Sequence, residues 1–193
     1  MTSAEPDETA HGKAELVHAF PSALRNDALR ALSVLSENRY SSRWRPFTVR
    51  LGSELLSIPD RIYYDLPVLQ TMRLTAVQSE ILDCLFTRHH DGFVRQKHLA
   101  RIIRSQNPWI PCFVVPLLGE YVVEILRFIQ ENLTCLETPK YGDFVRANPE
   151  FLDLVEQRVT SYWDCYYRST KKEEYPGFLV LDFLRSIAKE AAK

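Results

Sequence analysis

Apolar residues recur at helical spacing along most of this chain, and in one stretch they crowd out polar residues almost completely. Leu24, Ala28, Ala31, Leu32 and Leu35 predict a first helix within Pro21 to Asn38, with Ser22 as a cap if it starts there. The pattern then changes. FTVRLGSELLSIPDRIYY alternates poorly for a helix, and Gly52-Ser53 reads as a turn between two β-compatible runs. A short hairpin is expected there, with Pro59 confining its second arm to an edge or an end.

From Thr75 onward helices dominate. Thr75-Ala-Val-Gln78 matches a capping box, followed by one apolar face of Val77, Ile81, Leu82, Leu85 and Phe86. Asp91 is placed to cap the next helix, in which Val94, Leu99, Ile102 and Ile103 point inward. Asn107-Pro108 reads as a cap followed by proline at the first helical position. Trp109 to Leu118 is apolar at nearly every position, so that segment belongs at the domain centre, with a kink or break near Pro116. Beyond Gly119 the pattern predicts Tyr121, Val122, Ile125, Leu126 and Ile129 inside, with Glu120 and Glu124 mostly on the other face. Asn148-Pro149 opens a helix to about Arg168, and a last helix covers Phe178 to about Lys189.

The fold expected is mainly α, a multi-helix bundle or helical stack with a short β-hairpin near residues 46–63. Residues 1–15 read as a disordered arm, too polar to offset the entropy of ordering. Residues 16–193 read as one domain: an N-terminal helix, a basic and β segment over 39–67, and a helical core over 75–192. The length suits a single domain with a sizeable core.

Composition narrows the function classes. Lys plus Arg number 24 against 25 for Asp plus Glu, so overall charge favours neither a nucleic-acid nor a polycation partner. The four cysteines, Cys84, Cys112, Cys135 and Cys165, form no C-x-x-C pair and fit no zinc-finger spacing. They read as free thiols in a reducing, cytoplasmic setting. The polar opening MTSAEPDETAHGKAE lacks the apolar run of a secretory signal, and no apolar run is long enough to span a bilayer.

Candidate chemistry gathers in two places. His89-His90-Asp91 stands at a helix end, where His90 and Asp91 with Glu120 or Glu124 would supply nitrogen and oxygen ligands to a divalent metal. Adjacent histidines point about 100° apart on a helix, and the competing reading is a dipole contact followed by a cap. Arg88, Arg95, Lys97, Arg101 and Arg104 form a positive stretch, a candidate phosphate or acidic-partner site that reads chiefly as a solvated face paired to Glu120 or Glu124. RYSSRWRPFTVR, with Arg43, Trp44 and Arg45, is the nucleic-acid candidate, since arginine clamps phosphate and an aromatic ring stacks a base. Against that, such aromatics often pack the loop onto its own domain. Tyr162, Trp163, Tyr166 and Tyr167 read as core with a wet rim.

Asp91-x-x-Val94-Arg95 resembles the second helix of a HEAT-type repeat, in which an aspartate and an arginine bridge neighbouring units. The resemblance covers only this short stretch, departs at His98, where the repeat carries a small residue, and assigns no family. No nucleophile elbow, P-loop or dinucleotide fingerprint is present. The expectation is therefore a non-enzymatic helical domain, without a cofactor, that binds a macromolecule, protein being favoured. Arg43, Trp44, Arg45, Arg88, His89, His90 and Arg95 form the expected contact surface. A metal-assisted enzyme and a single-strand or RNA binder are the alternatives.

Overall fold

The computed structural model describes residues 13–36, 46–67 and 73–190. Among them the fold is mainly α with one two-stranded hairpin, as the hydrophobic pattern implies. Strands β1 (Phe47–Leu51) and β2 (Glu54–Ile58) pair antiparallel, with Val49 opposite Leu56. The turn between them needs a left-handed residue, and Gly52 supplies it at φ 57°. Val49, Leu56 and Ile58 bury one face of the hairpin against the helices.

The helices are α1 (Arg25–Leu32), α2 (Ala76–Phe86), α3 (Gly92–Ile102), the short α4 (Pro111–Val114), α5 (Val123–Glu131), the short α6 (Leu133–Leu136), α7 (Pro139–Ala147), α8 (Pro149–Tyr166) and α9 (Pro176–Glu190). Both arms of the expected capping box form: the Thr75 hydroxyl accepts from the Gln78 N–H, and the Gln78 side chain accepts from the Thr75 N–H. Asp91 caps α3 by accepting from the Phe93 N–H at 2.8 Å. The central apolar run is buried at every position from Trp109 to Leu118. It turns from α-helix to 3-10 geometry at Val115, beside the proline that cannot donate to the ladder. Around it α1 packs on α2, α2 on α3, α9 on α7 and α5, and α8 on the Val115–Gly119 turn. One continuous core results, from Leu16 to Ala188.

Several expectations need correction. Residues 13–16 are helical, and the Lys13 ammonium donates to the Leu35 carbonyl. The Asn107-Pro108 signal does not open a helix; Asn107 instead donates to Glu80, and the helix starts at Pro111. Asn148 does not cap α8 with its side chain. Its amide oxygen accepts from the Arg50 N–H while its NH₂ donates to the Arg50 and Phe144 carbonyls, which ties β1 to α7. Helix α7 itself was not foreseen. Tyr121, expected inside, is 52 % exposed, and Glu120, expected outside, is 2 % exposed.

Candidate functional site

The most apolar segment of the chain ends on a charge. Gly119 closes the 3-10 turn hard against α8, where an added Cβ would meet the Arg158 side chain at 3.0 Å. The next residue, Glu120, leaves in extended conformation with its carboxylate buried. A lone buried carboxylate would be prohibitively costly, so counter-charges must come from elsewhere in the fold. Arg61 donates to Glu120 in a short charge-assisted bond. Arg88 Nη1 lies 3.5 Å from one carboxylate oxygen and Arg95 Nη2 lies 3.3 Å from the other. Both these guanidiniums are fully buried.

Backbone carbonyls complete the knot. Arg88 donates to Pro59 O at 3.1 Å and Asp60 O at 2.8 Å, and its guanidinium stands 5.5 Å from the Phe47 ring centroid. Arg95 donates to His89 O at 2.8 Å and His90 O at 2.9 Å. The Asp60 carboxylate lies 3.6 Å from both Arg88 and Arg158. Arg88 Nη1, Arg95 Nε and Arg95 Nη2 have no aligned hydrogen-bond acceptor among the described residues. Of these, Arg88 Nη1 and Arg95 Nη2 face Glu120 as charge contacts. Burial pulls the Arg88 pKa down to about 10, against the upward pull of Glu120. A buried cluster of this kind is held by mutual compensation, so removing one member leaves its partners uncompensated.

The histidine loop is locked from two sides. The Ile62 N–H donates to Arg88 O and the His90 N–H to Ile62 O, an isolated parallel bridge that binds the loop to the segment leaving the hairpin. His89 is buried, with Nε2 3.1 Å from Tyr64 O and Nδ1 accepting from the Asp91 N–H at 3.1 Å. That pair of bonds requires the neutral ring protonated on Nε2. Burial and the neighbouring His90 both lower the His89 pKa.

The expected contact surface is thus redrawn. Arg88, His89 and Arg95 are interior residues and are not available as an open docking patch; their side chains serve the knot and the loop. Arg88 and Arg95 do pair with Glu120, but in a buried cluster and not on a solvated face. The metal set is corrected as well. His90 and Asp91 are exposed, Glu124 lies exposed on α5, and Glu120 is surrounded by guanidiniums that would repel a cation. Among the described residues no three His, Cys, Asp or Glu side chains are grouped to hold a metal ion. Arg43, Trp44 and Arg45 lie outside the described residues. Nearby Phe47 stacks on Phe151 at 4.9 Å and carries Arg88 on its face, so this part of the basic segment packs onto its own domain. Asp91 and Arg95 bridge no repeats: Asp91 caps its own helix, and Arg95 bonds the preceding loop.

Above the knot the chain exposes aromatic surface. Phe93, in the first turn of α3, is 85 % exposed. Val122 lies against Gly92, 3.3 Å from where a Cβ would stand, so the segments that carry Phe93 and Tyr121 meet there. From Tyr121 the rings continue to Tyr162 at 6.1 Å and on to Tyr166 at 6.3 Å. Tyr166 is 68 % exposed. On the other side of the loop His90 stacks on Tyr63 at 5.1 Å. Sequence reasoning put Tyr121 inside and passed over Phe93. The usable signal was an aromatic residue directly after a capping aspartate and a glycine, a first-turn position that faces solvent.

No helix among the described residues is long and apolar enough to cross a membrane. Set beside known protein families, curated proteins and solved structures, the chain matches none.

Proposed function

We propose that this is a non-enzymatic domain that binds a protein partner through the aromatic rim of Phe93, Tyr121, Tyr162 and Tyr166. The observation that carries this reading is the coupling of two features. Large apolar side chains are held in solvent, and a buried knot of charges fixes Glu120 and Arg95, next to Tyr121 and two residues from Phe93 in the chain. Scattered exposed aromatics need no explanation, whereas adjacent ones on a rigid base are the usual anchors of protein interfaces. Tyrosine and phenylalanine supply contact area at little entropic cost, because two torsions define each ring. We place the protein in a reducing, cytoplasmic compartment, a reading supported by the free state of all four cysteines.

The test is capture of partners from an extract of the native cell, comparing the wild type with a Phe93→Ser, Tyr121→Ser, Tyr166→Ser variant. These side chains are more than half exposed, so the variant should stay folded. A near-stoichiometric protein bound by the wild type and lost by the variant is the expected result. A partner held equally by both would move the docking face elsewhere, and co-purification of nucleic acid in its place would favour the basic segment around Arg43 to Arg45.

A further inference from the structure

A second feature lies away from the rim, in the angle between α2 and α3. Asp83 on α2 and His98 on α3 meet at 2.6 Å through His98 Nδ1, and Arg101 reaches the same Asp83 oxygen at 3.0 Å. The three clamp one helix to the other, and the His98 ring is further fixed against Phe86 at 4.9 Å. The His98 ring fills the angle and anchors Asp83. The clamp forms one wall of a cleft of about 140 Å³, lined also by Leu66, Pro67, Ser79, Leu82 and Lys97. That is the scale of a cavity that accepts one benzene-sized group.

The lining is divided by chemistry. Leu66, Pro67, Leu82 and Phe86 give an apolar side. Lys97 and Arg101 stand four residues apart on α3 and so share one face at the cleft's edge. Asp83 offsets one of these charges, and Lys97 makes no ion pair among the described residues. One positive charge is left over beside an apolar slot too small for a nucleotide.

We infer that this cleft binds a small monocarboxylate with an apolar body, the carboxylate meeting Lys97 and Arg101 and the body lying on Leu66, Pro67, Leu82 and Phe86. A single surplus charge matches a monoanion better than a dianionic phosphate. Arginine and lysine side by side offer a forked and a point donor to the two carboxylate oxygens.

Benzoate is the probe, titrated into the full chain while amide chemical shifts are followed by NMR, with benzamide and inorganic phosphate as comparators. Expected are saturable shifts confined to α2, α3 and the Leu66–Pro67 segment. Benzamide, lacking the charge, should bind about tenfold more weakly, as should benzoate to a Lys97→Gln variant. Lys97 is exposed, so this variant keeps the fold, and its spectrum verifies that directly. Three results would each overturn the inference: no saturation to the solubility limit of benzoate, equal binding of benzamide, or unchanged affinity in Lys97→Gln. Phosphate binding tighter than benzoate would reassign the site to a different anion class.

Discussion

Replacing Glu120 by glutamine removes one negative charge at nearly constant volume and leaves two fully buried guanidiniums facing a neutral amide. Arg88 would keep the Pro59 and Asp60 carbonyls, with the Asp60 carboxylate 3.6 Å away, and Arg95 would keep the His89 and His90 carbonyls. The lost partner is still the only carboxylate within 4 Å of Arg95 among the described residues. Breaking a buried pair by removing one member costs about 3–5 kcal/mol. The retained carbonyls argue for the lower end, about 3 kcal/mol, a large share of the 5–15 kcal/mol that holds a typical domain folded. In urea, with a slope of about 2 kcal/mol/M, the midpoint should fall by about 1.5 M at unchanged slope. Glu124→Gln, one turn on and exposed, is the control and should stay within about 0.5 kcal/mol of wild type. If Glu120→Gln unfolds at the same urea concentration as that control, the buried knot does not organise this region and the reasoning fails.

Asn148→Ala removes two hydrogen bonds to Arg50 of β1 and one to Phe144 of α7, so a loss of about 2–4 kcal/mol is expected by chemical denaturation. His89 has a pKa below the ordinary 6.5, so between its folded value and 6.5 the unfolded chain binds more protons. Stability therefore rises with pH through that window and is lost on acidification, and a His89→Gln variant should show a shallower pH dependence below 6.5. For the thiols, burial pushes Cys112 up to about 12 and Cys84 well above its usual value, whereas Cys165 is exposed. A thiol reagent should label Cys165 first in the native protein and reach Cys84 and Cys112 only on unfolding.

What the sequence made legible was local. The Gly52 turn, the Thr75–Gln78 box and the Asp91 cap are written in neighbouring residues, so the hairpin and helices α2 and α3 could be placed from the chain alone. Tyr141, Phe144 and Val145 of α7 recur at helical spacing, but Thr138-Pro139 reads as a break from sequence where it in fact opens a helix. The segment at 16–20 is too short to show a period, yet Leu16, Val17, Ala19 and Phe20 are all buried. The buried charges were the deepest error. Periodicity assigns Arg88, Arg95 and Glu120 to the outside, and only tertiary pairing across 59 residues from Arg61 to Glu120 brings them in. A signal was present all the same: Glu120 directly follows eleven buried positions, and a charge so placed must meet counter-charge inside the fold.

The docking reading is tested most directly by photo-crosslinking in the native cell, with a photoreactive phenylalanine at position 93 or 121, and at position 55 as the control. Leu55 is also exposed, but it borders the N-terminal end of α8, whereas Tyr162 and Tyr166 lie toward the other end of that 18-residue helix. The expected result is one discrete protein adduct from positions 93 and 121 and none from position 55. No adduct from the rim, or the same adduct from all three positions, would contradict the assignment of this face as the site where a partner docks.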